Sequence, residues 1–177
     1  MESVSLPENA VAVRVARAED EAALAHLDAV AWSPASGFPS VMARSRDPFY
    51  TFFTDDNPPQ MHLVAELGGR LAGYLRLKPV TPLAENAHVL GVMGLAVAPE
   101  ARRRGVGAAL LIAAERHARA QGARKLFLRV LGSNESALRL YGRLGFEREG
   151  VLRDEFFIDG RYTDDVLMAK HLSGPAA

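Results

Sequence analysis

Cysteine is absent from this 177-residue chain, which excludes disulfides, thiolate metal sites and a cysteinyl acyl-enzyme. No apolar run is long enough to span a bilayer, and the opening MESVSLPENA lacks the basic and apolar regions of a signal peptide. The expectation is a cytoplasmic protein with no membrane partner and no metal. Net charge is missing as well, since 21 Lys and Arg balance 21 Asp and Glu. Bulk electrostatics therefore imply neither nucleic acid nor an anionic lipid surface as partner. What is present is ordinary globular material, 49% hydrophobic and 24% charged. That length buries a sizeable core and predicts one domain over residues 1–177, with Ser173–Ala177 a loosely ordered tail.

The balanced charges are unevenly placed. Asp55, Asp56, Glu66 and Glu85 precede a strongly basic stretch from Arg102 through Arg148, which suits an anionic ligand on the second half. The centre of that half is Val89–Ala109, VLGVMGLAVAPEARRRGVGAA. An apolar run, Val89–Val97, stops at Pro99, and three arginines lead through Gly105 and Gly107 into an Ala- and Leu-rich helical pattern. A strand feeding a glycine turn at a helix N-terminus is an anion cradle: N–H groups without intrahelical partners point outward and the helix dipole favours negative charge. Gly105 and Gly107 let the backbone approach the anion, and Arg102, Arg103 and Arg104 add attraction and forked donors. A Walker loop would need Gly-x-x-x-x-Gly-Lys, which is missing, and a Rossmann turn would need a third glycine at Leu110.

Periodicity and turn residues give the remaining elements. Ala12–Ala16 reads as a strand and Ala18 to Ala31 as a helix, followed by an irregular stretch, Trp32–Pro59, around a helix from Pro39 to Phe53. Met61–Leu67 and Leu71–Leu77 flank Gly68-Gly69, a hairpin signal. Val89–Val97 is the next strand, and Gly107–Gln121 is a helix with Leu110, Leu111, Ala114 and Ala118 on one face, ended by Gly122. Leu126–Leu131 reads as a strand buried on both faces. Asn134 caps a helix to Leu144 that Gly145 closes, and Ala137, Leu138, Tyr141 and Leu144 share its stripe. Phe146–Leu152 and Thr163–His171 are the last strands, joined through Ile158-Asp159-Gly160-Arg161.

Two motifs carry a resemblance. Arg102-Arg103-Arg104-Gly105-Val106-Gly107-Ala108 fits Arg/Gln-x-x-Gly-x-Gly/Ala, and Asn134 through Phe146 fits Asn-x-x-Ala-x-x-Leu-Tyr-x-x-x-Gly-Phe. Together they resemble the GNAT superfamily of acetyl-CoA-dependent N-acetyltransferases, and the element order β-α-α-β-β-β-α-β-α-β-β extends the likeness over almost the whole chain. The resemblance implies an α/β (α+β) fold with a mixed, mostly antiparallel twisted sheet of about six to seven strands flanked by helices. It implies acetyl-CoA as co-substrate, with the pyrophosphate on Arg102, Arg103, Arg104, Gly105, Val106, Gly107 and Ala108. It places the pantetheine arm and thioester against the backbone of Leu95, Ala96 and Val97, with Asn134 near that arm. It also makes Tyr141 the acid that protonates the departing sulfur, in a direct transfer to a primary amine through a tetrahedral intermediate.

Such a transfer needs a neutral amine, because an alkylamine is almost wholly protonated at neutral pH. Gly91–Val97 offers no carboxylate for this task. His88 has a suitable intrinsic pKa, Glu85 is a weaker choice, and a water chain or an amine of low pKa would need no side chain. The acceptor is open between a small molecule, such as an amino acid or polyamine, and a peptide or protein N-terminus. Trp32, Phe38, Phe49 and Tyr50 either shape the acceptor site or pack in the core. Asp154 and Glu155, with Phe156, either receive an ammonium or are solvated acids near an Asp-Gly turn. A non-catalytic acyl-CoA-binding module and an interaction subunit of a larger acetylation complex remain as readings from other classes, and analogy suggests a homodimer.

Overall fold

The computed structural model describes residues 10–33 and 35–172; the expectation for the tail Ser173–Ala177 lies outside them. Seven strands form one sheet in the order β1-β2-β3-β4-β5-β7-β6. They are β1 (Val11–Val15), β2 (His62–Leu67), β3 (Arg70–Pro79), β4 (Val89–Val97), β5 (Lys125–Leu131), β6 (Glu147–Ile158) and β7 (Arg161–His171). Four α-helices accompany them: α1 (Glu21–Ala31), α2 (Pro39–Ser45), α3 (Val106–Ala120) and α4 (Glu135–Arg143). Only β4 and β5 run parallel; every other neighbouring pair is antiparallel. The mixed, mostly antiparallel sheet expected from the motifs is present.

Alternation along β3 sorts the helices. Gly73 faces α3, where a Cβ would lie 3.0 Å from Val106 and 3.2 Å from Leu110. Tyr74, the next residue, turns to the opposite face and bonds Asp28 of α1. The predicted stripe of α3 is the buried one, with Leu110 and Ala114 fully enclosed. Both two-residue hairpins have the left-handed pairs that such turns need, at Gly68 and Gly69 (φ 58° and 75°) and at Asp159 and Gly160 (φ 48° and 78°).

Two element boundaries differ from expectation by more than three residues. Helix α2 stops at Ser45 rather than Phe53. Pro48 disfavours a helical Asp47, and the Asp47 carboxylate instead accepts the Phe49 N–H at 2.8 Å, closing a side-chain turn. Strand β6 continues to Ile158 rather than ending at Leu152. It absorbs Arg153, Asp154 and Glu155 in an irregularity between the pairs Leu152↔Asp165 and Phe156↔Thr163. Asp154 takes φ 51° there, and its N–H is held by the Asp164 carboxylate at 2.9 Å.

The feature that makes a site is a parting of strands. β4 and β5 pair only from Val89↔Lys125 to Val92↔Leu128. Beyond Val92, β4 stays with β3, skipping Met93 in a bulge between the pairs Arg76↔Gly94 and Leu77↔Val92. β5 follows β7 instead, as far as Leu131↔Asp165.

Candidate active site

The parting opens into a cleft of about 1900 Å³. One end is the start of α3. Gly105 caps the helix at φ 82°, and the first helical bond runs from the Ala109 N–H to the Gly105 carbonyl at 2.9 Å. The N–H groups of Val106, Gly107 and Ala108 are therefore left for a ligand. A Cβ on Gly107 would sit 3.1 Å from Leu140 of α4, so a larger residue there would have to push that side chain aside. A diphosphate fits this end: it finds free N–H groups, a helix N-terminus, and the flanking Arg102 and Arg103.

Of the predicted contact residues, Leu95, Ala96, Val97, Arg102, Arg103, Gly105, Val106, Gly107, Ala108, Asn134 and Tyr141 all line this one cleft. Arg104 is exposed and does not line it. Arg102 donates to the Ala31 carbonyl at the end of α1 at 2.5 Å, so that guanidinium also fastens the loop to the first helix. Asn134 accepts the Ala137 N–H at 3.2 Å through its side-chain oxygen. Capping uses that oxygen and leaves the amide N–H groups as its donors toward the cleft. Tyr141 is buried beside Phe146, at 5.8 Å between ring centroids. Burial pushes its phenol up to about 12, so it is a protonated donor at neutral pH.

His88 is not brought to this place. It is exposed at the opening of β4, roughly 23 Å along the strand from Leu95 at ~3.3 Å per residue, and does not line the cleft. Its carbonyl is engaged by Arg124 and Lys125, at 2.8 and 3.2 Å. Glu85 is likewise exposed and absent from the lining.

The other end of the cleft holds residues that the motifs did not single out. Asp28 is buried and accepts three hydrogen bonds: from Trp32 Nε1 at 2.7 Å, Tyr50 OH at 2.9 Å and Tyr74 OH at 2.5 Å. Burial first, then the Asp28 charge, raise both phenols above their ordinary value. Glu21 takes the N–H groups of Phe52 and Phe53 at 2.6 and 2.9 Å, Asn57 donates to the Phe52 carbonyl at 2.7 Å, and Arg76 donates to Asn57 Oδ1 at 2.9 Å. This chain of bonds fixes the irregular segment after α2 as a wall. Of the four aromatics proposed for that wall, Trp32, Phe38 and Tyr50 are half-buried, whereas Phe49 is 93% exposed. Phe38 meets Phe156 of β6 edge-on at 4.7 Å, a contact that the extended β6 makes available. Asp165 is buried and bound by Arg129, which also approaches Glu155 at 3.7 Å.

His62 is 1% exposed, among Phe52, Phe53 and Tyr74. Its Nδ1 lies 3.0 Å from the Pro58 carbonyl and its Nε2 is without a partner. Burial pulls its pKa down to about 4. Periodicity gave no sign of this role, because His62 opens a strand whose other members are mostly apolar. Among the described residues, no group of three or more His, Asp or Glu side chains is gathered for a metal, and no helix is long and apolar enough to cross a membrane.

An anion cradle at the mouth of parted strands, with a protonated phenol in the same cleft, is the layout of a group-transfer enzyme. The comparisons with known proteins give the particular one: the chain belongs to the Acetyltransferase (GNAT) family, whose model matches residues 21–146. It is 35% identical over 119 residues to an N-alpha-acetyltransferase of Sulfurisphaera tokodaii, covering 62% of this chain and 68% of that one. It is 30% identical over 110 residues to the spermidine N(1)-acetyltransferase of Escherichia coli, covering 62% of this chain and 57% of the relative. The chain thus spans little more than half of that second protein. In fold it is similar to yncA of Salmonella typhimurium, solved with its cofactor acetyl-CoA, at a TM-score of 0.72 and 19% identity over 95% of this chain and 97% of that one.

Proposed function

We propose that residues 1–177 act as one N-acetyltransferase domain that moves an acetyl group directly from acetyl-CoA to a primary amine. The observation that carries this reading is the convergence on one cleft of the α3 N-terminus, the unpaired edge of β4 and the Tyr141 phenol. Acetyl-CoA supplies the activated thioester. Val106, Gly107 and Ala108 hold its diphosphate through backbone N–H groups, aided by Arg102 and Arg103. The backbone of Leu95, Ala96 and Val97, released from β5, aligns the pantetheine arm and offers N–H donors to the oxygen on which negative charge develops. Asn134 steadies the same arm. Tyr141 gives its proton to the departing sulfur; burial keeps that proton in place until then.

The amine's own proton leaves by solvent in this scheme. His88 is remote, Asp28 already accepts from three donors, and Asp165 is bound to Arg129. Water reaching the carbonyls of the bulged β4 needs no further side chain. The test is CoA-thiol release from acetyl-CoA against amino acids, polyamines, aminoglycosides and short peptides, run beside Tyr141→Phe. A Tyr141-dependent signal with one acceptor class supports the reading. Release that is independent of Tyr141 removes the phenol from the scheme.

A further inference from the structure

The acceptor end of the cleft is asymmetric in charge. Its buried carboxylates are already used: Asp28 by three neutral donors, and Asp165 by Arg129. The other acids of that wall, Asp47 and Asp56, are exposed at the rim. Two cations are the reverse. Arg76 and Lys78 follow each other on the same face of β3, both half-buried and both lining the cleft. Among the described residues, neither forms an ion pair. The Arg76 guanidinium makes one hydrogen bond, to Asn57, and its Nε is enclosed without a partner.

A half-buried guanidinium with a single neutral partner is incompletely satisfied. It is also well aimed, because Asn57 is itself tied to the Phe52 carbonyl. The backbone of Arg76 lies opposite Gly94, on the bulged stretch of β4 just before Leu95, where the acceptor nitrogen must approach the thioester. Gly94 has no side chain to separate the two. Neighbouring strands are only about 4.8 Å apart, so a molecule whose nitrogen stands over Gly94 brings its next few atoms over Arg76.

We infer that the acceptor is an amine bearing a carboxylate, an amino acid in chemical class, with the carboxylate received by Arg76 and assisted by Lys78. The inference rests on the acetyltransferase reading and narrows its acceptor. A forked guanidinium suits a carboxylate and repels a polyamine.

The experiment measures CoA-thiol release by the wild-type chain with a set of α-amino acids, each beside its carboxamide, and with spermidine. The amides have less basic amines and would react faster on intrinsic chemistry, so that bias runs against the inference. The expected result is an acid preferred over its amide and over spermidine by at least about tenfold in kcat/KM, since a site built for a polar group rejects an analogue lacking it. Arg76→Gln erases that preference through KM for the acid, leaving KM for acetyl-CoA unchanged; Lys78→Gln acts in the same direction and less. Amides or spermidine used as well as the acids would overturn the carboxylate while leaving the acetyltransferase intact. A folded Arg76→Gln that keeps the preference overturns the role of Arg76. No release with any amine, in a protein that fails to bind acetyl-CoA by calorimetry, overturns the underlying reading and this inference with it.

Discussion

The Tyr74 hydroxyl donates to Asp28 Oδ1 across 2.5 Å, a bond that joins the middle of the sheet to the first helix over 46 positions of sequence. Trp32 and Tyr50 complete the shell around the same carboxylate. A buried anion is held here by neutral donors rather than by a cation, so removing it strands several polar groups at once. Asp28→Ala is expected to lower unfolding free energy by about 3 kcal/mol or more, the sum of stranded donors and lost charge-assisted bonds. Urea unfolding checks this. A change below about 1 kcal/mol would show that the cluster can reorganise at little cost.

Tyr141→Phe removes one oxygen from a buried ring and leaves its packing on Phe146. It is expected to lower kcat by about a hundredfold or more, the usual worth of a positioned acid, with acetyl-CoA affinity unchanged by calorimetry. Because burial lifts the phenol to about 12, no alkaline fall in wild-type rate below about pH 10 should be traceable to this residue. A limb near pH 9 that vanishes in the variant would contradict that.

Gly107→Glu sets a Cβ 3.1 Å from Leu140 and a negative charge where a diphosphate is proposed to lie. The outcome expected is loss of detectable acetyl-CoA binding, with circular dichroism reporting a folded protein. Tight binding by the folded variant removes the α3 N-terminus as the cradle.

His62 makes stability depend on pH. Its folded pKa of about 4 lies below the ordinary 6.5, so the unfolded chain binds the proton more readily. The stability gained by keeping the ring neutral is full above pH 6.5 and is lost as pH falls toward 4, on the order of 2 kcal/mol after allowance for screening. Melting temperatures of wild type and His62→Phe between pH 7 and 4 should diverge, the variant losing less. Parallel slopes would assign the acid sensitivity elsewhere.

The elements that local chemistry dictates were legible from the residues. Val89–Val97 has the expected bounds, Asn134 caps α4, and Gly122 and Gly145 close their helices in the left-handed conformation. The residues proposed as a cradle are a contiguous motif, and Gly105, Val106, Gly107 and Ala108 line one cleft. What stayed hidden depends on residues distant in sequence. Nothing adjacent to Asp28 announces that Tyr50 and Tyr74 will reach it, and Arg76 looks like any solvated strand residue until its neighbours are known. For His88 a suitable intrinsic pKa says nothing of position; the point where β4 leaves β5 puts it at the far end of the strand from Leu95. Strand β6 runs past its expected end at Leu152 because the Asp164 carboxylate, distant in sequence, holds the Asp154 amide and lets the strand resume.

The parting of β4 from β5 has a consequence for the folded molecule as a whole. The first four strands and the last three are laced by only four rungs, Val89 to Val92. In the proposed binding mode, a ligand along the open edge of β4 is a stitch between these two halves, supplying cross-strand bonds that the chain itself forgoes. Amide hydrogens of Leu95–Val97 and of Arg129–Leu131 should therefore exchange more slowly as acetyl-CoA is added, and the melting temperature should climb with its concentration. On the proposed function, resistance to unfolding then tracks the supply of the acetyl donor.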